Sequence, residues 1–249
     1  MPGSRILCLA AACLVNAGLH AQPAQRLPDG APDLGGKGVW HPRRVGDMAS
    51  TRWKPGASAA EKSADRDVDV PFLDWARTKF EANRGNRLED SASRCLPLGI
   101  PRSVFAAEPF EIVQQPNRIV FIYEAGAHVW RNVWMDGRPH PKDPNPSWMG
   151  DSIGHWEGGT LVVDAVGFND KTWLDAAGHP HTEQLHVTER YTRTGPLTLK
   201  YEVTIDDPGA YSKPWSNSVT IPFHRGDGLQ EYICQEGERD TRHSGAPKK

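Results

Sequence analysis

The C-terminal half of the chain alternates apolar and polar residues with a period of two, in short segments separated by turn residues. A period of two places alternate side chains on opposite faces of an extended backbone, so it predicts β-strands. The alternation is cleanest in one segment, where every second residue is apolar: Leu197, Leu199, Tyr201, Val203 and Ile205. We predict about eight strands from residue 118 onward, and the segment EIVQQ at 111–115 is a candidate for a ninth.

The predicted strands form pairs joined by tight turns, and longer loops separate the pairs. The pairs are 118–124 with 128–136, 152–156 with 160–168, 183–193 with 197–205, and 216–224 with 229–236. Successive connections of an antiparallel meander lie at opposite ends, so the longer loops are expected together at one end: 136–150, 167–183 and 206–215. The meander predicts an antiparallel up-and-down β-barrel over 111–237, because closure removes exposed sheet edges. A barrel of this size holds side chains or one small ligand.

The remaining residues are predicted to be irregular or to be removed on export. Residues 1–21 combine a basic start, an apolar stretch and small residues before a cleavage position, which predicts a signal peptide and a periplasmic or secreted protein. A lipoprotein signal centred on Cys13 is the alternative. Residues 22–110 are predicted as an irregular wrap with one helix at about 71–83, and residues 238–249 as a disordered tail. No other apolar run is long enough to cross a membrane.

Two cysteines, Cys95 and Cys234, lie outside the predicted signal peptide. In an oxidising compartment they are expected to form a disulfide between the N-terminal wrap and the last strand, and two separate buried thiols are the alternative. The net charge of −2 comes from acids and bases that are interspersed along the chain, without a basic run. We therefore expect a small-molecule ligand or substrate and no nucleic-acid partner.

His179, His181 and Glu183 stand at every second position, so an extended backbone would place the three side chains on one face. Two imidazoles and a carboxylate can bind a divalent metal, which is the only cofactor that the sequence suggests. The same groups can act as general acid and base near neutral pH. A third interpretation is that this short His-x-His run lies in a solvated loop.

Other ionisable side chains in the strands have roles that depend on which face lies inside the barrel. An inward apolar face would bury Glu189 and require a cationic partner, whereas the opposite face would line a polar cavity with His186 and Arg190. Asp164 interrupts the apolar run LVVDAVGF, and desolvation would raise its pKa unless an arginine such as Arg131 or Arg190 pairs with it. Asp164 is therefore either a catalytic acid or a member of a structural ion pair.

The long loops are rich in aromatic and hydrogen-bonding side chains, which are the usual lining of a small-molecule pocket. Their convergence predicts a ligand site at the mouth of the barrel, and the alternative is that the indoles plug the barrel end. The residues expected to bind the ligand are Arg131, Trp148, Asn169, Trp173, Arg190, Tyr211 and Trp215. The residues expected to carry chemistry are His140, Asp164, Asp175, His179, His181, Glu183 and His186.

Several blocks in the C-terminal half carry a resemblance to known proteins: DGRPHP, GHWEGGTLVVD, GFND, TWLDAAGHPH and LHVTERY. With these blocks the chain resembles a family of exported proteins found in environmental bacteria, and the resemblance implies no particular reaction. The GxW-like sequence Gly38-Val39-Trp40 ahead of the meander is similar to the opening of lipocalins, in the calycin group, and implies a lipocalin-like barrel.

Three functions fit these observations. The first is an exported enzyme that acts on a small, partly apolar molecule at the long-loop mouth, by His/Asp acid–base or metal-assisted chemistry of the lyase, isomerase or hydrolase type. The second is a non-catalytic, lipocalin-like binding or carrier protein that uses the same cavity. The third is an interaction protein with a solidly packed barrel. We favour the enzyme because the loops hold more titratable residues than an apolar carrier needs.

Overall fold

The computed structural model describes residues 26–28, 30–50 and 69–234. These residues form a closed β-barrel of nine strands in sequence order, in which each strand pairs with the next and the last pairs with the first. The prediction of a mostly-β barrel with an irregular N-terminal extension and a short helix is confirmed. The predicted signal peptide (1–21) and C-terminal tail (238–249) lie outside the described residues.

Eight of the nine strands lie after residue 109, where they make up about half of the described chain. The nine strands are β1 (Gly38–Trp40), β2 (Phe110–Gln115), β3 (Arg118–Tyr123), β4 (Trp130–Trp134), β5 (Asp151–Glu157), β6 (Thr160–Val166), β7 (His186–Gly195), β8 (Thr198–Asp206) and β9 (Trp215–Arg225). Tight turns at 116–117, 158–159 and 196–197 lie at one end of the barrel. The opposite end, here called the loop end, carries the connections 41–109, 124–129, 167–185 and 207–214. The tight turn predicted at 125–126 therefore lies at the end opposite to the other tight turns, whereas the predicted meander placed it beside them.

One pair of neighbouring strands is parallel, which differs from the predicted meander. Val133 of β4 is opposite Ser152 of β5, and both strands begin at the loop end. The loop 135–150 therefore starts at the turn end and crosses the outside of the barrel to reach the loop end. Its last residues are fixed there, because the backbone N–H of Ser147 donates to Gly167 O at 2.9 Å.

The barrel closes through β1, which pairs with β9 on one side and with β2 on the other. The predicted strand 229–236 is not formed in its described part, up to residue 234, and the last strand is β9. The physical reason is that β1 occupies the only edge of β9 that such a strand could use. Residues 226–234 instead run along the outside, where the Gln230 N–H donates to the Glu124 carboxylate at 2.7 Å.

The twelve-residue helix α1 (Asp74–Gly85) is the longest helix in the described chain. It was predicted at about 71–83, but Phe72 forms an isolated bridge with Tyr211 and the Leu73 N–H donates to Ala210 O. These contacts hold the backbone extended until Leu73 and dock α1 on the loop end. Two four-residue α-helical turns, α2 (Arg102–Phe105) and α3 (Ala125–His128), and two 3₁₀ turns, Arg87–Glu89 and Ser91–Arg94, are the other helices of the described part.

Side chains fill the barrel. The inward positions of the strands alternate as the sequence predicts, so that Leu199, Tyr201, Val203 and Ile205 of β8 are buried. The large side chains that pack in this interior include Trp40, Phe110, Phe121, Tyr123, Tyr191 and Phe223. Close packing of this kind leaves the lumen to the protein itself, so a ligand site has to be sought outside it.

Cys95 and Cys234 form a disulfide, as predicted, across a sequence separation of 139 residues. The bridge fastens the segment after β9 to the N-terminal connection. None of the helices in the described ranges is both long and apolar enough to cross a membrane.

Candidate functional site

A buried ion pair lies inside the barrel. The apolar face of β7 points inward and buries Glu189, and its cationic partner is Arg131 on β4, with the guanidinium Nη1 2.6 Å from Glu189 Oε2. The hydroxyls of Tyr191 and Tyr201 donate to Glu189 Oε1 at 2.6 and 2.9 Å. The sequence-based expectation of a cationic partner for an inward Glu189 is therefore correct. Arg131 was expected to bind ligand, but the structure commits it to this pair.

Arg131 keeps its positive charge, and the tyrosines beside it keep their protons. Burial alone would lower the pKa of Arg131, but the Glu189 carboxylate raises it well above the ordinary arginine value. Burial and the same carboxylate raise the pKa values of Tyr191 and Tyr201, which keeps both hydroxyls protonated as donors. None of these shifts moves a group into the neutral range, where acid–base chemistry would need it. The pair is structural.

A second buried pair closes the loop end. Asp175 and His179 are fully buried, and His179 Nδ1 lies 2.7 Å from Asp175 Oδ2. Burial raises the pKa of Asp175, but the charge and hydrogen bond of His179 together with backbone N–H groups outweigh burial and lower it. Those backbone donors belong to Met48, Ala177, Gly178 and His179.

The imidazole of His179 belongs to an aromatic plug. Its ring stacks on Phe80 with centroids 4.3 Å apart and on Phe72 at 5.5 Å, and Trp215 lies 5.5 Å away on another side. Tyr211 adjoins Phe72 and Trp215 and donates its hydroxyl to Pro180 O at 2.6 Å. Tyr211 and Trp215 were expected to bind ligand, but here they seal the barrel end, as the alternative interpretation of the rim aromatics proposed.

The predicted metal set of His179, His181 and Glu183 is not assembled. His179 faces the plug, His181 faces Thr172, and Glu183 is exposed. The backbone from His179 to Glu183 is not a strand, since Pro180 interrupts it and β7 begins only at His186, so the period-two argument fails there.

A different group, Asp47, Asp175 and His179, places three ligand atoms within 4.8 Å of one another. Both Asp175 oxygens already accept hydrogen bonds, and one of them is bonded to His179 Nδ1. A cation there would have to displace these hydrogen-bond donors. The group therefore suits a structural hydrogen-bonded anchor better than a metal site. Through the Met48 N–H, this anchor ties the N-terminal segment to the loop end.

A cleft of about 540 Å³ opens at the loop end, between α1, the segment 89–96 and the loop 167–185. This volume lies in the range of small-molecule sites. Three indoles line it: Trp75 from α1, Trp148 from the end of the crossing loop, and Trp173. Trp148, Trp173 and His181 were all predicted site residues, and the structure brings these three together.

His181 lies in the wall of the cleft beside Thr172, and both residues are buried. His181 Nδ1 is 3.1 Å from the carbonyl oxygen of Thr182, so Nδ1 donates and Nε2 is left as the acceptor. The Thr172 hydroxyl, 2.7 Å from Nε2, then donates to it. Burial lowers the pKa of His181, which keeps the imidazole neutral and able to accept a proton.

Three other predicted catalytic residues meet on the outer face of the barrel. Asp164 on β6 accepts from His140 Nε2 at 2.8 Å and from His186 Nε2 at 2.9 Å, and His140 Nδ1 lies 2.6 Å from Asp151. This His–Asp chain fastens the crossing loop, which carries His140, to β5, β6 and β7. The sequence argument expected an arginine as the partner of Asp164. The crossing loop supplies a histidine instead, because it packs over β6.

The His–Asp chain predicts an acid-sensitive contribution to stability. Burial raises the pKa of Asp164, but hydrogen bonds from His186 and His140 outweigh burial and lower it. A lowered pKa stabilises the fold above the unfolded-state value of about 3.9 and loses that effect as the pH falls through the folded-state value. We expect Asp164→Asn to cost about 1 kcal/mol at pH 7, since the carboxylate is partly exposed, and less at pH 2.5 than at pH 7.

Urea unfolding of both proteins at the two pH values measures this difference. Glu157→Gln is the matched control, because Glu157 is an exposed carboxylate of the same sheet face that pairs with Arg190. It should change stability little at either pH. An Asp164→Asn penalty that is equal at pH 7 and pH 2.5 would contradict the role of the ionised carboxylate.

The remaining predicted ligand residues lie elsewhere. Arg190 is on the outside of β7 and donates to Glu157 at 2.8 Å, and buried Asn169 accepts the Lys171 N–H in a turn. Sequence reasoning missed Trp75 and Thr172. Trp75 and Lys79 lie one helical turn apart on the helix face that borders the cleft, a pairing readable from the sequence only once α1 is known to dock there.

Comparison of the chain with family models, with curated proteins and with solved structures finds no match, so function is inferred from the chemistry of the site.

Proposed function

We propose that this protein is an exported enzyme that binds a small, partly apolar molecule in the loop-end cleft and uses His181 as its acid–base group. The observation that carries the proposal is the hydrogen bond of 2.7 Å between the Thr172 hydroxyl and His181 Nε2 in the wall of a cleft lined by three indoles. A cleft, a histidine of lowered pKa and a hydroxyl aimed at its free nitrogen are the parts that acid–base catalysis requires.

The geometry gives each group a role. The Thr182 carbonyl holds the His181 ring with Nδ1 protonated, so Nε2 can take a proton from the Thr172 hydroxyl or from a substrate group that replaces it. Because burial lowers the pKa of His181, the base form persists below the ordinary histidine value of about 6.5. The low exposure of both side chains keeps water away from the transferred proton.

The same cleft would also serve a non-catalytic binding protein. The packed barrel interior argues against a lipocalin-like carrier with its ligand in the lumen. The Thr172–His181 pair favours an enzyme, because binding alone does not need a neutral imidazole whose acceptor nitrogen faces a hydroxyl.

Replacement of His181 by Gln should lower turnover by about 10²- to 10⁴-fold, the usual contribution of a positioned general base. The assay incubates the purified protein with a bacterial small-molecule extract and follows, by mass spectrometry, the compounds that are consumed and formed. The acid limb of the wild-type pH–rate profile should lie below pH 6.5, because the pKa of His181 is lowered.

The matched control is His155→Gln, since His155 is an exposed imidazole on the outer face of β5 that is hydrogen-bonded to Glu157 and lies outside the cleft. It should retain wild-type turnover. Thermal unfolding of each variant shows whether the fold is intact. A folded His181→Gln protein with wild-type turnover would refute the proposed role, and a compound that copurifies with the protein and is never converted would identify a binding protein instead.

A further inference from the structure

We propose that the ligand of the loop-end cleft is a neutral saccharide of two or three sugar rings. This inference rests on the proposed function of the cleft as a small-molecule site and adds the chemical class of the molecule. It comes from two properties of the lining taken together: flat indole faces that are held rigidly, and rim charges of both signs.

The strongest single observation is the state of Trp75. Trp75 is 46% exposed, and large apolar side chains at the surface are usually free to move. Trp75 is held in place, because its indole N–H donates to Gly209 O at 2.8 Å. The hydrogen bond uses the only polar atom of the ring and fixes the ring on the loop that follows β8. What remains for a ligand is a rigid, flat, apolar face, which suits the C–H face of a sugar ring.

The other two indoles of the lining are more buried than Trp75. Trp173 is nearly buried, and the Arg102 guanidinium lies 5.9 Å from its ring centroid. Trp148 is partly buried at the end of the crossing loop, which Ser147 anchors to Gly167. The three indoles come from three different connections that are each hydrogen-bonded in place, so their arrangement does not depend on the ligand.

The charges at the rim discriminate between ligand classes. Lys79, Arg94 and Lys171 supply positive charge, and Glu89 and Asp170 supply negative charge, all at exposed positions. An anionic ligand would be repelled by the two carboxylates and a cationic ligand by the three basic groups, whereas a neutral ligand avoids both repulsions. A purely apolar ligand would desolvate all five charged groups without replacing their hydrogen bonds, which is costly.

A hydroxyl group both donates and accepts hydrogen bonds, so it can pair with an ammonium group and with a carboxylate alike. A molecule that carries many hydroxyls around an apolar ring face therefore satisfies the whole lining. In the wall of the cleft, the Thr172 hydroxyl and His181 would face one of these sugar hydroxyls.

Isothermal titration of the full protein with four disaccharides tests the proposal: cellobiose, maltose, xylobiose and N,N′-diacetylchitobiose. Benzoate and decanoate serve as the anionic-aromatic and apolar comparison probes. We expect at least one disaccharide to bind, and Trp75→Ala to weaken that binding at least tenfold. Trp130→Ala is the matched control, because Trp130 is 60% exposed on the outer face of β4, outside the cleft, and its removal should leave affinity unchanged.

The outcomes separate this inference from the proposed enzymatic function. Binding of benzoate or decanoate with no disaccharide binding overturns the saccharide assignment, whether or not His181→Gln abolishes turnover of another compound. Equal losses in Trp75→Ala and Trp130→Ala also overturn it. Saccharide binding that depends on Trp75, combined with no turnover of any compound, supports the assignment and removes only the enzymatic function.

Discussion

Replacement of Arg131 by Met is expected to lower the free energy of unfolding by about 3 to 5 kcal/mol. The reason is the partner left behind. Glu189 is fully buried, and without the guanidinium its charge would remain in the barrel interior with only the Tyr191 and Tyr201 hydroxyls to stabilise it. Met has a similar length and can still pack against Phe121, where the guanidinium now lies 4.9 Å from the ring centroid.

A paired substitution separates the loss of the interaction from the cost of the orphaned charge. Arg131→Met combined with Glu189→Gln should recover most of the stability, because the neutral amide oxygen still accepts from both tyrosines. Arg190→Met is the surface control, since the Arg190–Glu157 pair is exposed and its loss should change stability little. Urea unfolding measures all four proteins. If the double variant is as unstable as Arg131→Met alone, the buried-charge explanation is wrong.

The barrel was readable from the sequence because its strands obey one strong rule. In β8 every second residue is apolar and buried, and in β7 Val187 and Tyr191 share the buried face with Glu189. Burying that face forces Glu189 inward, where the need for a cation follows from desolvation alone. The sequence does not identify the cation as Arg131. That choice depends on the register between β3 and β4 and on the neighbours that closure brings across the lumen.

The fold prediction was wrong where strand pairing depends on residues far apart in the sequence. β1 has three residues, too few to show a period, yet it closes the barrel and takes the edge of β9 that the segment 229–236 was predicted to use. The parallel pairing of β4 and β5 likewise depends on the path of the crossing loop over the outside of the sheet. A local pattern reports which residues are extended, but it does not report their partners.

In the site too, local patterns were predictable from the sequence and long-range contacts were not. Trp148 lies at the loop end only because the loop 135–150 crosses the outside of the barrel, which the predicted meander did not include. Trp173 and His181 lie there because of strand alternation, so these two could be placed together before their contacts were known. Trp75 could not be, because α1 is separated from the barrel strands by many residues and docks through Phe72 and the loop after β8. The assignments that relied on spacing within an irregular segment, such as the His179–His181–Glu183 set, failed because no strand exists there to impose the spacing.

Removal of the disulfide is the second large effect that we expect. Cys95 and Cys234 are 139 residues apart, and closing a loop of that length restricts the unfolded chain by about 4 to 5 kcal/mol in the chain-entropy model. In the native state the bridge holds residues 226–234 against the barrel, where few other bonds hold them: the Gln230 N–H donates to Glu124 and the Tyr232 N–H donates to His128 Nε2.

The variant Cys95→Ala/Cys234→Ala should therefore unfold at a much lower urea concentration than the oxidised protein, and a reductant should bring the wild-type protein to the same midpoint. Proteolysis adds a local readout, because cleavage after residue 225 should become faster in the variant at urea concentrations that leave the barrel folded. The double variant is the cleaner comparison, since either single variant leaves a thiol free to form intermolecular bridges. Identical urea midpoints for the oxidised, reduced and substituted proteins would contradict this prediction. They would show that the disulfide restricts the unfolded chain far less than the length of the closed loop implies, and that the pairing of β1 with β9 holds the barrel closed without it.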